Sequence, residues 1–160
     1  MLLAFAGLGL TFGMWWMYFA VPRGEVLERH RERSYLWSGG HLLIFGAIAA
    51  TGAGLHVAAY YLEGDSALSS IDTVFTVAVP LAVFVVSLFA IGSVFLRQHD
   101  PFHLLLIMGT AGVLVLSVIL AGVGMSMAWC LVVLTLAPGV SVIGYETVGP
   151  RHLVATLLAD

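Results

Sequence analysis

From Phe102 to Tyr145 the chain carries no Asp, Glu, Lys or Arg. Water does not tolerate such a run on a protein surface, and a small core cannot hide all of it. A bilayer core about 30 Å thick takes about 20 apolar residues per helix, at 1.5 Å of rise each. The stretch is too long for one crossing and suits two, divided at Gly122-Val123-Gly124-Met125-Ser126, the one tight-turn sequence near its middle. Three further charged or polar breaks divide the rest: Pro22-Arg23-Gly24, Glu63-Gly64-Asp65 and Arg97-Gln98-His99-Asp100. The expected fold is all-α, a single polytopic transmembrane helix bundle over residues 1–160. Its five spans fall at about 2–21, 40–62, 73–96, 102–121 and 126–145.

Composition agrees. Hydrophobic residues make up 61% of the chain and charged ones 9%, against about 25% charged in soluble domains. The six cations are all Arg. Without a lysine no Schiff-base cofactor such as retinal or pyridoxal phosphate can attach. The net charge of −3 signals no acidic or basic partner, and no phosphate-binding loop or nucleic-acid patch is present. A lone cysteine, Cys130, can form neither an internal disulfide nor a thiolate metal cluster, and reads as a small buried hydrophobe. The first span starts in apolar sequence without a cationic leader region, so it reads as a retained helix.

Charge orients the bundle. Arg23, Arg29, Arg31 and Arg33 follow the first span, Arg97 follows the third and Arg151 follows the fifth. Five spans bring all six to one face, which the positive-inside rule makes cytoplasmic; the N-terminus is then outside and the C-terminus inside. The four arginines after the first span are candidates for contact with anionic lipid headgroups, and Glu25 precedes Arg29 in the favourable i,i+4 order. Trp15, Trp16, Tyr18, Phe19, Trp37, Tyr60 and Tyr61 mark span ends as an aromatic belt. Asp100-Pro101 and the Ser69/Asp72 pair are helix-start signals. Pro80 and Pro138 interrupt the hydrogen bonding of the third and fifth spans.

Within the spans, small residues suggest helix packing. Gly46, Ala50, Gly54 and Ala58 recur every four residues in the second span, and Gly9 and Gly13 form a pair in the first. His56 lies inside the second span, where an ionisable group is costly and draws attention as a functional site. It suits a proton acceptor, a metal or haem ligand, a hydrogen-bonded core residue, or a neutral imidazole near the interface. His41 and His103 stand at one depth on different spans, the arrangement that would clamp a haem or ligate a pigment. No pair of carboxylates or metal-ligand cluster is spaced for catalysis, so no catalytic residue, resident metal or cofactor is expected.

Two segments resemble the bacterial low temperature requirement A (LtrA) family. One is Trp15-Trp16-Met17-Tyr18-Phe19. The other is Gly40-His41-Leu42-Leu43-Ile44-Phe45-Gly46, followed by Ala49-Ala50-Thr51-Gly52-Ala53-Gly54-Leu55. With the charged loop between them, they resemble the C-terminal half of that family. The resemblance implies a bacterial polytopic membrane protein, of the inner membrane, in a family roughly twice this length. The polar signatures of the family's N-terminal half are missing here. Family members often carry an acidic residue where this chain has His56, so no role carries over to that position. The expected function is a non-enzymatic subunit that packs against other transmembrane helices, with lipid as its other partner. A transporter or channel component, and a haem- or pigment-binding protein using histidine ligands, are the alternatives.

Overall fold

Two glycines decide where the long apolar runs turn. In the computed structural model, which describes residues 1–20, 34–96 and 101–147, Gly64 and Gly124 have φ of 85° and 83°. These are left-handed conformations that cost glycine nothing. At the second turn the Met125 N–H donates to the Leu120 carbonyl (3.0 Å), and the Gly124 N–H to Ala121 (3.2 Å). At the first, Asp65 and Gly64 bond Tyr60 and Tyr61 in the same pattern. Both are Schellman caps, which satisfy carbonyls that a helix end would leave bare. The uncharged run from Phe102 to Tyr145 is therefore two helices, broken in the segment its glycines mark.

The described residues form five helices: α1 (Leu2–Phe19), α2 (Ser34–Glu63), α3 (Ser70–Leu96), α4 (Pro101–Gly122) and α5 (Met127–Thr147). All five are long and apolar enough to cross a membrane. α2 begins six residues before the expected Gly40, because a polar first turn continues helical once the apolar turns above it are packed. α3 starts at Ser70, one residue after Ser69. The Ser69 hydroxyl donates to the Asp72 carboxylate (2.7 Å) and accepts from the Asp72 N–H (3.1 Å). The expected cap at Asp100 and all six arginines lie outside the described residues.

The packing order around the bundle is α2, α3, α4, α5, α1, with α3 also touching α5 and α1 barely touching α2. Contacts fix the directions. Gly40 meets Ile91 while Gly54 meets Thr76, so α2 and α3 are antiparallel; Gly9 meets Thr135 while Gly13 meets Pro138, so α1 and α5 run together. The core is a continuous apolar cluster from all five helices, with Phe84, Leu81, Leu88, Leu131, Leu134 and Leu10 fully enclosed.

Each proline within a span has a glycine across an interface, against the ring itself at Pro138 and against the carbonyl it leaves without an N–H partner at Pro80. Pro80 has no N–H for the carbonyl of Thr76, four residues back. That carbonyl lies against Gly54, where an added Cβ would strike it. A Cβ on Gly13 would lie 2.7 Å from Pro138 Cγ. Buried hydroxyls add interhelical bonds: Ser117 donates to the Cys130 carbonyl (2.9 Å), and Thr110 lies 3.4 Å from the Ala137 carbonyl and 3.3 Å from the Ser141 hydroxyl. Such bonds contribute about 0.6 kcal/mol each inside a membrane bundle.

The repeat of small residues on α2 divides between two faces. Gly54 and Ala58 are buried, whereas Gly46 and Ala50 are exposed. A four-residue step overshoots a full turn by about 40°, so Gly46 and Ala58 point about 120° apart. The buried seam is Gly40, Ile44, Ala47, Thr51, Gly54 and Ala58, which alternates steps of four and three and so stays on one side. α1 alternates likewise at Ala6, Leu10, Gly13 and Met17, with Gly13 against α5.

Candidate functional site

The helices that barely touch leave a cleft between them. A cleft of about 600 Å³ opens between α1 and α2, lined by Leu10, Met14 and Trp15 on one side and Ile44, Ile48 and Thr51 on the other, among others. The two helices meet at both of its ends. At one end a Cβ on Gly7 would lie 3.6 Å from Leu55 Cδ1. At the other, the Tyr18 hydroxyl is 2.7 Å from His41 Nε2.

The chain order builds this second contact. Tyr18 sits in the last turn of α1 and His41 two turns into α2, so two antiparallel helices bring them to the same level. His41 Nδ1 is 2.7 Å from the carbonyl of Trp37, one turn back. A carbonyl only accepts, so Nδ1 carries the proton and donates. In the neutral ring Nε2 is then an acceptor, and the Tyr18 hydroxyl donates to it. The imidazole stands between the rings of Trp37 (4.6 Å between centroids), Phe45 (5.7 Å) and Tyr18 (5.8 Å). Its orientation is fixed by two hydrogen bonds and three ring contacts.

Elsewhere the cleft is nearly without polarity. Thr51, which is buried, donates its hydroxyl to Ala47, and Thr11 donates to Gly7, each at 2.8 Å within its own helix. The walls are therefore alkyl and aromatic, with one fixed polar corner.

The other expected site residues are dispersed. His56 faces outward, its ring edge against Tyr60 one turn later (4.8 Å). His103 packs on α4 against Phe89 (5.5 Å), Tyr145 (5.8 Å) and Phe102 (6.4 Å). The ring contacts described for His41 and for His103 thus involve separate sets of aromatic residues. Among the described residues no three His, Cys, Asp or Glu side chains converge as a metal site. Gly9 and Gly13 lie against α5, and Gly54 and Ala58 are buried in the α2 seam, with Gly54 against α3. The arginines expected at lipid headgroups, Arg23, Arg29, Arg31 and Arg33, lie outside the described residues.

Sequence reading missed the Tyr18–His41 pair. Tyr18 reads as an aromatic-belt residue and His41 as a helix-end histidine. The available signal was their position on either side of one loop, close to the ends it joins.

Five apolar membrane-length helices, packed through small residues and carrying an apolar lateral cleft, define an integral membrane helix-bundle protein. The chain belongs to the family described as bacterial low temperature requirement A protein (LtrA), which matches residues 1–138 and so reaches from α1 to the middle of α5. No curated protein and no solved structure matches it.

Proposed function

We propose that this LtrA-family chain is a non-enzymatic packing unit of a larger transmembrane assembly, joined through the outward face of α2. The observation that carries this reading is the second small-residue face on that helix. Gly39, Gly46, Ala50 and Ala53 are exposed, and a Cβ on Gly39 or Gly46 would have nothing within 4 Å. They point about 110° away from the seam already used against α3. Small residues let two backbones approach, which is how helices associate in lipid. By the positive-inside rule the chain sits with Tyr18 and His41 towards the cytoplasm, in the inner membrane of a bacterium.

Oxidative cross-linking in native membranes tests this. Cys130 is buried, so a cysteine introduced as Ala50→Cys reports with little background. The expected product is a discrete higher-mass species, absent when the cysteine replaces Phe12 on the far side. A stable lone monomer under gentle solubilisation, with no cross-linked product, overturns the proposal.

A further inference from the structure

The α1–α2 cleft suits an occupant of one shape. From Ile44 to Leu55 its lining extends about 16 Å along α2, at 1.5 Å per residue. That matches the depth of one leaflet, half of a hydrocarbon core about 30 Å thick. A helix that crosses the bilayer is about 30 Å long, about twice the length of the cleft, so as an occupant it would have to part α1 from α2 at Gly7/Leu55 or at Tyr18/His41. A single hydrocarbon chain fits lengthwise between the two contacts.

The polarity of the ends sets its direction. The hydroxyls towards the Gly7/Leu55 end, Thr11 and Thr51, donate within their own helices, and this end lies about one leaflet deep from the other. The Tyr18/His41 end carries a side-chain hydrogen bond between the two helices and stands among Trp15, Phe19 and Trp37. Tyrosine and tryptophan mark the level where acyl chains meet headgroups. Phe45, Ile48 and Gly52 are exposed along the open side, so a chain enters sideways from the leaflet without crossing water.

We infer that the cleft between α1 and α2 is a binding groove for one acyl chain of a membrane phospholipid, with its ester end beside Tyr18 and His41. Tyr18, held by its hydrogen bond to the fixed ring of His41, forms the groove's polar end. The inference does not rest on the packing role of α2's outward face. Gly52 in the groove and Gly46 on that face lie about 120° apart on one helix, so the two can be tested separately.

The experiment is native mass spectrometry of the purified full chain in mild detergent, titrated with palmitoyl-oleoyl phosphatidylglycerol, and in a parallel arm with oleic acid. Wild type is expected to retain one phospholipid per chain. Gly52→Phe places a ring in the groove, where a Cβ meets nothing within 4 Å, and should weaken retention at least tenfold. Ile48→Trp fills the groove from the neighbouring turn and should do the same, which covers the case in which one variant does not fold. Gly46→Phe should leave retention unchanged while abolishing the Ala50→Cys cross-link. No retained phospholipid in wild type overturns the inference, as does equal retention by folded Gly52→Phe and Ile48→Trp. So does equal weakening by Gly46→Phe, retention of oleic acid without phospholipid, or a protein cross-link formed from Gly52→Cys.

Discussion

The α2–α3 interface and the α1–α2 interface share a helix and differ in almost everything else. Against α3, α2 presents Gly40, Ala47, Gly54 and Ala58, and the backbones close until the Thr76 carbonyl rests on Gly54. Against α1, the same helix presents Phe45, Ile48 and Leu55, and a cleft remains. In water, apolar side chains would collapse such a gap. In lipid no hydrophobic force pulls helices together, because acyl chains are as apolar as leucine. Helices close where small residues and fitted carbonyls allow dense contact. Where large side chains meet, lipid competes with them on equal terms. The bundle is thus tight where Gly40 and Gly54 face a neighbouring helix and open where large side chains meet.

The sharpest way to break this contrast is at Gly54. A methyl group there meets main chain, which cannot rotate aside. Gly54→Ala is expected to cost about 3 kcal/mol, the upper end for overpacking, read as a lowered Tm in detergent. A Tm equal to wild type would show that α2 and α3 are not held by backbone approach. Gly13→Ala comes next. Its Cβ would lie 2.7 Å from the Pro138 ring, which gives way only if α1 shifts on α5. A cost of about 2 kcal/mol is expected. Pro138→Ala should relieve part of it in the double variant, and a purely additive pair would refute the contact.

The sequence makes some of this visible and hides the rest for definite reasons. The turn at Gly124 is legible because an uncharged run too long for one crossing leaves few places to turn, and a left-handed residue there is best supplied by glycine. The small residues of α2 are legible as packing residues, but their partition is not. Gly46 and Gly54 look alike in a four-residue repeat, and only the slow rotation of that repeat around the helix separates an outward residue from a seam residue. His56 draws attention because an ionisable group in a span is costly; rotation also decides its setting, and it turns outward onto Tyr60. The Tyr18–His41 contact depends on the relative height of two helices joined by a charged loop, which no local pattern encodes.

At the polar end of the cleft the expected effect is smaller. Tyr18→Phe keeps the ring contact with His41 and removes one hydrogen bond, worth about 1 kcal/mol. His41 stays held through Nδ1 to Trp37, so the fold should survive with a Tm only slightly reduced. Hydrogen–deuterium exchange gives the finer reading. Faster exchange confined to the last turn of α1 and the first turns of α2 is expected, with α3 unchanged. Exchange unaltered at those turns would show that the bond does not hold the end of the cleft.

The smallest effect should come from Gly46→Ala, which sets the contrast within one helix. It is the same chemical change as Gly54→Ala, two turns away, at a position whose added methyl group meets nothing within 4 Å. The variant also loses the backbone freedom of glycine in the unfolded chain, which favours the folded state by up to about 1 kcal/mol. The isolated chain should therefore be as stable as wild type or slightly more so. A loss comparable to that at Gly54 would mean that the outward face of α2 is already in contact within the single chain. With stability unchanged, weaker Ala50→Cys cross-linking in native membranes would assign the cost of that methyl group to an intermolecular contact.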